Sequence, residues 1–130
     1  MTEKLKRILY VEDDEDIAQI TVMTLEEFGE FEVQHSISGV DALQELPKFL
    51  PQLVLMDMMM PEMDGLETFK HMKEIAVIKN IPVIFMTAKM QAKEQQSYLD
   101  AGAIGVIAKP FDPEKLCDII NQMWQKNNDR

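Results

Sequence analysis

The sequence is poor in cysteine, in long apolar runs and in positive charge, and each shortage excludes a class of protein. Its one cysteine, Cys117, permits no internal disulfide bond and suits a reducing compartment. No apolar run approaches the roughly 18 residues that a transmembrane helix needs. The 13 Lys and Arg residues stand against 23 Asp and Glu residues, and the resulting net charge of −10 makes nucleic acid a poor partner.

The apolar residues that are present suit one globular domain. Of the 130 residues, 46% are hydrophobic, and neither an internal repeat nor a low-complexity segment interrupts them. Only residues 8–11 are apolar before the first acidic stretch, which is too short for the core of a signal peptide. We therefore expect a cytoplasmic protein with no membrane contact. We predict a single domain over residues 1–130, with polar tails at residues 1–6 and 125–130.

Short apolar segments alternate with helical patterns along the chain. The sequence predicts five strands, over residues 8–11, 31–35, 53–56, 82–86 and 105–108. The first, third and fourth are apolar throughout, as expected of parallel strands that are covered on both faces. Five alternations of strand and helix predict an α/β domain with a parallel sheet and right-handed crossovers.

Each predicted helix follows a strand and has an apolar face. The faces are Ile17, Ile20, Thr24, Leu25 and Phe28; Val40, Leu43 and Leu46; Leu66, Phe69, Met72 and Ile75 or Ala76; and, in the last helix, Leu116, Ile119, Ile120, Met123 and Trp124. The first helix is predicted to end at Gly29 and the second at Pro47. The more polar fourth spans residues 92–101, with Gly102 as its C-cap, and the last begins with Asp112 as its N-cap.

Acids, a hydroxyl and a lysine follow four of the strands. Because the carboxyl ends of parallel strands meet at one edge, where such sheets bind ligands, we expect these residues to be neighbours. They are Glu12 and Asp13 after the first strand, Asp57 after the third, Thr87 after the fourth and Lys109 after the fifth. Asp57 alone could be a metal ligand, a nucleophile, or both.

Several carboxylates around one point indicate a cation. Mutual repulsion raises their pKa values unless a positive charge compensates, and magnesium is a hard ion that prefers oxygen ligands. Glu12, Asp13 and Asp57 are the predicted ligands, and the backbone carbonyl of Met59 could complete the shell. We interpret Asp14 to Asp16 as the acidic start of a helix, where carboxylates favour the macrodipole.

The other site residues have a resting role and a functional one. Lys109 is expected to pair with Asp57 at rest and to hold an oxygen of an incoming phosphoryl group. Thr87 is either a strand-end hydroxyl or a phosphoryl ligand, and the bond before Pro110 is a candidate for the cis form. The side chains of Met58, Met59, Met60 and Met63 are interpreted as core packing.

Four segments together resemble the receiver domain of two-component response regulators, over essentially the whole chain. They are ILYVEDD at residues 8–14, PQLVLMDMMMPEMDG at 51–65, PVIFMTA at 82–88 and KPF at 109–111. The resemblance implies a flavodoxin-like, doubly wound five-stranded sheet with strand order 2-1-3-4-5.

The resemblance also implies roles. Asp57 would be the phosphoacceptor, attacking a phosphohistidine on a sensor histidine kinase or phosphotransfer protein, and Thr87 and Lys109 would bind the phosphoryl oxygens. Glu12, Asp13, Asp57 and the Met59 carbonyl would hold Mg²⁺. Such a domain would catalyse its own phosphotransfer and autodephosphorylation. With no effector domain after the last helix, we expect a stand-alone regulator, similar to chemotaxis regulators, that acts on a downstream protein target. A receiver excised from a longer protein is the alternative.

One position departs from this pattern, and two others bear on how long a phosphoryl group would last. The family usually has an aromatic residue three positions before the lysine, where this chain has Val106, and a β-branched side chain has little rotational range. A receiver that docks partners whatever its phosphorylation state is therefore an alternative. Met59 and Lys89 lie where the family tunes the lifetime of the acyl phosphate.

Two enzyme-like alternatives fit the sequence poorly. Phosphatases with a nucleophilic aspartate generally need a second acid two positions on, where this chain has Met59. A flavin site is disfavoured because acids occupy the loop after the first strand, where an anionic phosphate would need open backbone amides.

Overall fold

A computed structural model describes residues 3–88 and 91–129 of the chain as five strands and five helices in alternation. The elements are β1 (Arg7–Val11), α1 (Glu15–Gly29), β2 (Glu32–Ser36), α2 (Gly39–Phe49), β3 (Leu53–Asp57), α3 (Gly65–Met72), β4 (Val83–Thr87), α4 (Ala92–Asp100), β5 (Gly105–Ala108) and α5 (Pro113–Asn128). All strand pairs are parallel, and the order in the sheet is β2-β1-β3-β4-β5. The predicted fold class and strand order are confirmed. Across the described ranges, no helix combines the length and apolar character needed to traverse a bilayer.

Alternate side chains of the strands supply two separate cores. From β1, Ile8 and Tyr10 enter the core under α1 and α5, whereas Leu9 and Val11 enter the core under α2, α3 and α4. Every residue of β3 and β4 is buried, as predicted for apolar strands covered on both faces. Each fully buried Leu or Ile contributes roughly 1.5–3 kcal/mol, which anchors the central strands that end at the acids.

The apolar face predicted for α1 is partly wrong. Ile20 is 58% exposed and Phe28 is 66% exposed, while the buried residues are Ala18, Thr21, Thr24 and Leu25. Small side chains at Ala18 and Thr21 let α1 approach the sheet and α5 closely, and this packing sets the rotation of the helix. Hydrophobicity alone does not show that two large apolar residues are turned away.

The second helix is longer than predicted. α2 continues through Pro47 to Phe49, and Val40, predicted on its apolar face, is 49% exposed. Pro47 lies in the last turn, where its missing N–H removes only one helical hydrogen bond. The guanidinium of Arg7 lies 4.1 Å from the ring centroid of Phe49 and holds this turn against the sheet.

The third helix is shorter than predicted, and the C-cap predicted for the fourth, Gly102, is wrong. α3 ends at Met72, so Ile75 and Ala76 lie in the turns that follow rather than on its face. Ala101 is the C-cap of α4, and Gly102 comes after it with a φ of 118°, a conformation that L side chains rarely adopt.

Both ends of the described chain are attached to the domain. Leu5 is buried, and the indole Nε1 of Trp124 donates to the carbonyl of Glu3 at 2.9 Å. α5 begins as predicted, with Asp112 as its N-cap, but extends to Asn128, inside the segment predicted as a polar tail. Intrahelical hydrogen bonds stabilise these polar residues without burial.

Candidate functional site

The carboxyl ends of β1, β3, β4 and β5 converge on one cavity of about 250 Å³. Its lining includes Glu12, Asp13, Asp57, Met59 and Lys109. Backbone hydrogen bonds hold the strand ends in register: Met58 N donates to Met86 O at 2.9 Å, and Lys109 N donates to Thr87 O at 3.0 Å. The predicted acids and Lys109 are therefore brought together, whereas the end of β4 reaches the cavity through Ala88 rather than Thr87.

Three carboxylates at this edge lie close enough to share one ion. One oxygen each from Glu12, Asp13 and Asp57 lies within 4.8 Å of the others. Glu12 and Asp57 are only 1% and 3% exposed, whereas Asp13 is open to solvent. Hard oxygen donors at this spacing suit magnesium better than a soft metal.

The pKa values show the cost of crowding these acids. Burial raises the pKa of Glu12 above its ordinary value, the nearby Asp57 raises it further, and Lys109 opposes both. Partial desolvation and the neighbouring Glu12 also raise the pKa of Asp13. The expected mutual repulsion is thus present, and added positive charge at this edge would relieve it.

Lys109 is the cation that lies between the acids. Its Nζ is 3.1 Å from Asp57 Oδ1 and 3.1 Å from Glu12 Oε1. Burial lowers the pKa of Lys109, but the two carboxylates outweigh burial and leave it above its ordinary value. The predicted resting pair with Asp57 is confirmed, and the second pair with Glu12 was not predicted. The peptide bond to Pro110 is cis, as the sequence suggested.

Thr87 is fully buried at the end of β4, next to the aromatic residues under α4. Thr87 pairs in register with Ala108, and Phe85 with Val106, so these four residues share one face of the sheet. The rings of Phe85 and Tyr98 have centroids 5.6 Å apart, and Val106 packs against the same cluster. Burial raises the pKa of Tyr98, and a hydrogen bond with Thr87 opposes that rise.

The loop after β3 combines buried and exposed methionines. Met58 and Met60 are buried, as interpreted from the sequence, but the side chain of Met59 is 56% exposed at the cavity. The packing interpretation is wrong for Met59, which lies in the irregular loop after β3 and faces solvent, and Met63 is only half-buried. Gly65 closes the loop, and a Cβ there would lie 2.7 Å from the carbonyl oxygen of Asp57, so only glycine permits this approach.

The start of α1 has the predicted form. Asp14 is its N-cap and accepts hydrogen bonds from Asp16 N at 3.0 Å and Ile17 N at 3.1 Å. Asp14 also lines the cavity, but the three carboxylates close enough to share an ion are those of Glu12, Asp13 and Asp57. Lys89, the other position assigned to acyl-phosphate lifetime, lies outside the described residues.

The sequence did not predict that Tyr10 and His35 contact Glu12. The Tyr10 hydroxyl lies 3.2 Å from Glu12 Oε1, and His35 Nε2 lies 2.8 Å from the Glu12 carbonyl oxygen. Tyr10 precedes Glu12 by two positions, so strand alternation places both side chains on one face and contained the signal. Burial raises the pKa of Tyr10, which keeps its hydroxyl protonated.

Comparison with known proteins points to one family. The family model described as the response regulator receiver domain matches residues 8–121. The response regulator Rre1 of Synechocystis is 30% identical over 116 residues, which are 89% of this chain and 50% of that protein. The phosphate regulon transcriptional regulatory protein PhoB of Escherichia coli is 33% identical over 121 residues, which are 93% of this chain and 52% of that protein. The chain thus spans about half the length of these curated relatives.

Solved structures give the same result for the fold. The chemotaxis response regulator CheY4 of Vibrio cholerae superposes with a TM-score of 0.83 at 28% identity, covering 92% of this chain and 99% of that one. A CheY-like receiver domain protein from Methanospirillum hungatei superposes with a TM-score of 0.82 at 28% identity, covering 97% and 98%. Each similarity spans nearly the whole of both chains.

Proposed function

Because the chain belongs to the response regulator receiver family, we propose that it accepts a phosphoryl group on Asp57 and uses it to switch protein contacts. One observation carries the proposal. Asp57 is almost fully buried, yet it lines an open cavity between the Lys109 ammonium and two further carboxylates. An aspartate held only for stability would not need two more acids beside it.

The donor set supports a magnesium site. Glu12, Asp13 and Asp57 would supply carboxylate oxygens, and the backbone carbonyl of Met59, in the loop that lines the same cavity, would supply another. Bound Mg²⁺ would neutralise the carboxylates and the phosphoryl oxygens, so that two anions can approach each other.

The chain's own residues would then perform an in-line transfer. A carboxylate oxygen of Asp57 attacks the phosphorus of a phosphohistidine, an O–P bond forms, the N–P bond breaks, and the imidazole leaves with a proton. Lys109 already lies against Asp57 and is placed to hold a phosphoryl oxygen as a point charge. Thr87, at the end of the adjacent strand, would donate its hydroxyl to another.

The partners follow from this chemistry. The phosphodonor would be a sensor histidine kinase or a phosphotransfer protein, and the output would be a downstream protein target. We further propose that residues 1–130 act as one receiver unit in the cytoplasm. The acidic chain, with 23 Asp and Glu residues, disfavours direct contact with nucleic acid.

A small phosphodonor tests the proposal directly. Acetyl phosphate with Mg²⁺ is expected to add one phosphoryl group per chain, seen by intact-mass spectrometry, and EDTA is expected to slow uptake by at least about tenfold. Neutral hydroxylamine should remove the group, because an acyl phosphate is cleaved by this nucleophile. Uptake that is insensitive to EDTA, or a product stable to hydroxylamine, would contradict acceptance on a carboxylate with metal assistance.

One observation favours a second candidate, a receiver that docks partners independently of phosphorylation. Val106, half-buried on β5 against Phe85 and Tyr98, is a β-branched side chain with little rotational freedom. A residue of this kind cannot signal by swinging between an exposed and a buried position. A hydrogen bond between Thr87 and Tyr98 links the end of β4 to α4 and would be the route for a switch.

Beryllofluoride, a phosphoryl analogue, separates the two candidates. With Mg²⁺ present, the switch predicts amide chemical-shift changes that begin at Asp57 and extend into α4 and β5, because Thr87 and Tyr98 join these elements. The Asp57→Asn protein is the control and is expected to show none. Changes confined to the cavity would favour the docking candidate and contradict the switch.

A further inference from the structure

Tyr10 is a buried tyrosine whose hydroxyl contacts two polar groups on different elements. Its oxygen lies 3.2 Å from Glu12 Oε1 and 3.2 Å from Thr21 Oγ1 on α1. The residue is 0% exposed, and its ring lies 5.8 Å from the ring of His35 on β2. A polar group in an apolar core is costly unless it is paired, so these contacts explain why a tyrosine is stable there.

Thr21 fixes the direction in which the Tyr10 hydroxyl points. The Thr21 hydroxyl donates to the carbonyl of Ile17 at 2.8 Å, so it meets Tyr10 with its lone pairs. The hydrogen of Tyr10 is therefore shared between Thr21 and the carboxylate of Glu12. This contact ties a carboxylate at the end of β1 to the second turn of α1.

Glu12 has few other constraints on its side chain. Lys109 approaches Oε1 at 3.1 Å, and the amide of Asp14 donates to Oε2 at 3.3 Å. Under the proposed function, Lys109 also has to hold a phosphoryl oxygen. Tyr10 has no such second task, and its contacts with Glu12 and Thr21 do not pass through Lys109.

We propose that Tyr10 is a positioning residue for the magnesium site: its hydroxyl holds the Glu12 carboxylate where it can share the cation with Asp13 and Asp57. The inference rests on the proposed function and deepens it. Loss of a group that orients a metal ligand through a hydrogen bond typically lowers metal affinity by about 10- to 100-fold.

Tyr10→Phe removes one oxygen atom and keeps the ring in the core. We expect its affinity for Mg²⁺, measured by isothermal titration calorimetry, to be about tenfold lower than that of the unaltered protein. Uptake from acetyl phosphate should be slower at limiting Mg²⁺ and should return to the normal rate at saturating Mg²⁺. Recovery is the mark of a residue that acts through the metal site.

Thr24 offers a control on α1, the helix that carries Thr21. Thr24, like Thr21, is buried and donates its hydroxyl to the carbonyl four residues earlier, at 2.8 Å, but its hydroxyl does not contact Tyr10. Thr24→Val should therefore leave Mg²⁺ affinity within about twofold of the original. Tyr10→Leu fills the core differently without a hydroxyl, and the same loss as in Tyr10→Phe is expected. Thermal unfolding without Mg²⁺ checks that each variant is folded.

Three outcomes would overturn the positioning role, and a fourth would also overturn part of the proposed function. Equal affinity in Tyr10→Phe and the unaltered protein would overturn the positioning role alone. A slow rate that saturating Mg²⁺ does not restore would overturn it too, and so would an equal loss in Thr24→Val. If the unaltered protein does not bind Mg²⁺ at all, both this inference and the magnesium part of the proposed function are overturned.

Discussion

Asp57→Asn is expected to abolish phosphoryl uptake from acetyl phosphate while leaving the domain folded. An amide is a very poor nucleophile for phosphorus, so we expect a loss of at least about a thousandfold, observed as no gain in intact mass. The side chain keeps its size and an oxygen that can accept from Lys109, whose Nζ is 3.1 Å from Asp57 Oδ1. Loss of uptake therefore reports chemistry rather than collapse of the site.

Asp100→Asn is the matched control for this change. Asp100 lies exposed at the end of α4, where it accepts a hydrogen bond from Gln96 at 2.8 Å, and its conversion should leave uptake unchanged. Asp13→Asn is informative in a different way, since a weakened metal ligand should slow uptake at low Mg²⁺ without eliminating it. Full labelling of Asp57→Asn would move the acceptor to another residue.

Lys109→Met is expected to have the second largest effect, a fall of about a hundredfold in the rate of phosphorylation at saturating Mg²⁺. The methionine keeps the apolar stem but removes the charge that faces the incoming phosphoryl group. The phosphorylation rate of Lys109→Arg should lie between those of Lys109→Met and the unaltered protein. Arginine keeps the charge, but a planar guanidinium does not reproduce a compact ammonium. Stopped-flow measurement of uptake from phosphoramidate gives the rates.

The same substitution should lower the free energy of unfolding, by up to about 3 kcal/mol in the absence of Mg²⁺. Glu12 and Asp57 are buried and would lose the cation that both contact. Adding Asp57→Asn to Lys109→Met should restore part of the stability, because one of the two carboxylates is gone. Lys115→Met, which removes an exposed charge nearby on α5, is the control and should change stability little. Equal effects of Lys109→Met and Lys115→Met would show that the pairing contributes nothing.

The strand ends were predictable from the sequence because local patterns determine them. Residues 53–56 are apolar without interruption and stop at Asp57, and a parallel sheet then decides which strand ends are neighbours. The helix faces were less predictable, since α1 rotates to bring Ala18 and Thr21 inward and leaves Ile20 outside. That choice depends on the shape of α5 and the sheet, which no local pattern contains.

The same limit applies within the site. The acids and Lys109 were predictable because their charge is conspicuous among apolar strands. Tyr10 resembled an ordinary core residue, and only the three-dimensional structure shows its hydroxyl beside Glu12 and Thr21. Met59 was assigned to the core with its neighbours, although the loop turns it outward.

If the proposed function holds, the two contacts of Lys109 also have a consequence for the order of events during phosphoryl transfer. An ammonium group has three N–H donors, and its contacts with Glu12 and Asp57 use two of them. A phosphoryl oxygen can therefore be met by the third before either resting contact breaks. Once Asp57 carries the phosphoryl group, its oxygen is a weaker acceptor, and the lysine can shift toward the new anion. The incoming group would not need to displace the old partner, and the half-buried ammonium would keep an anion beside it throughout the exchange.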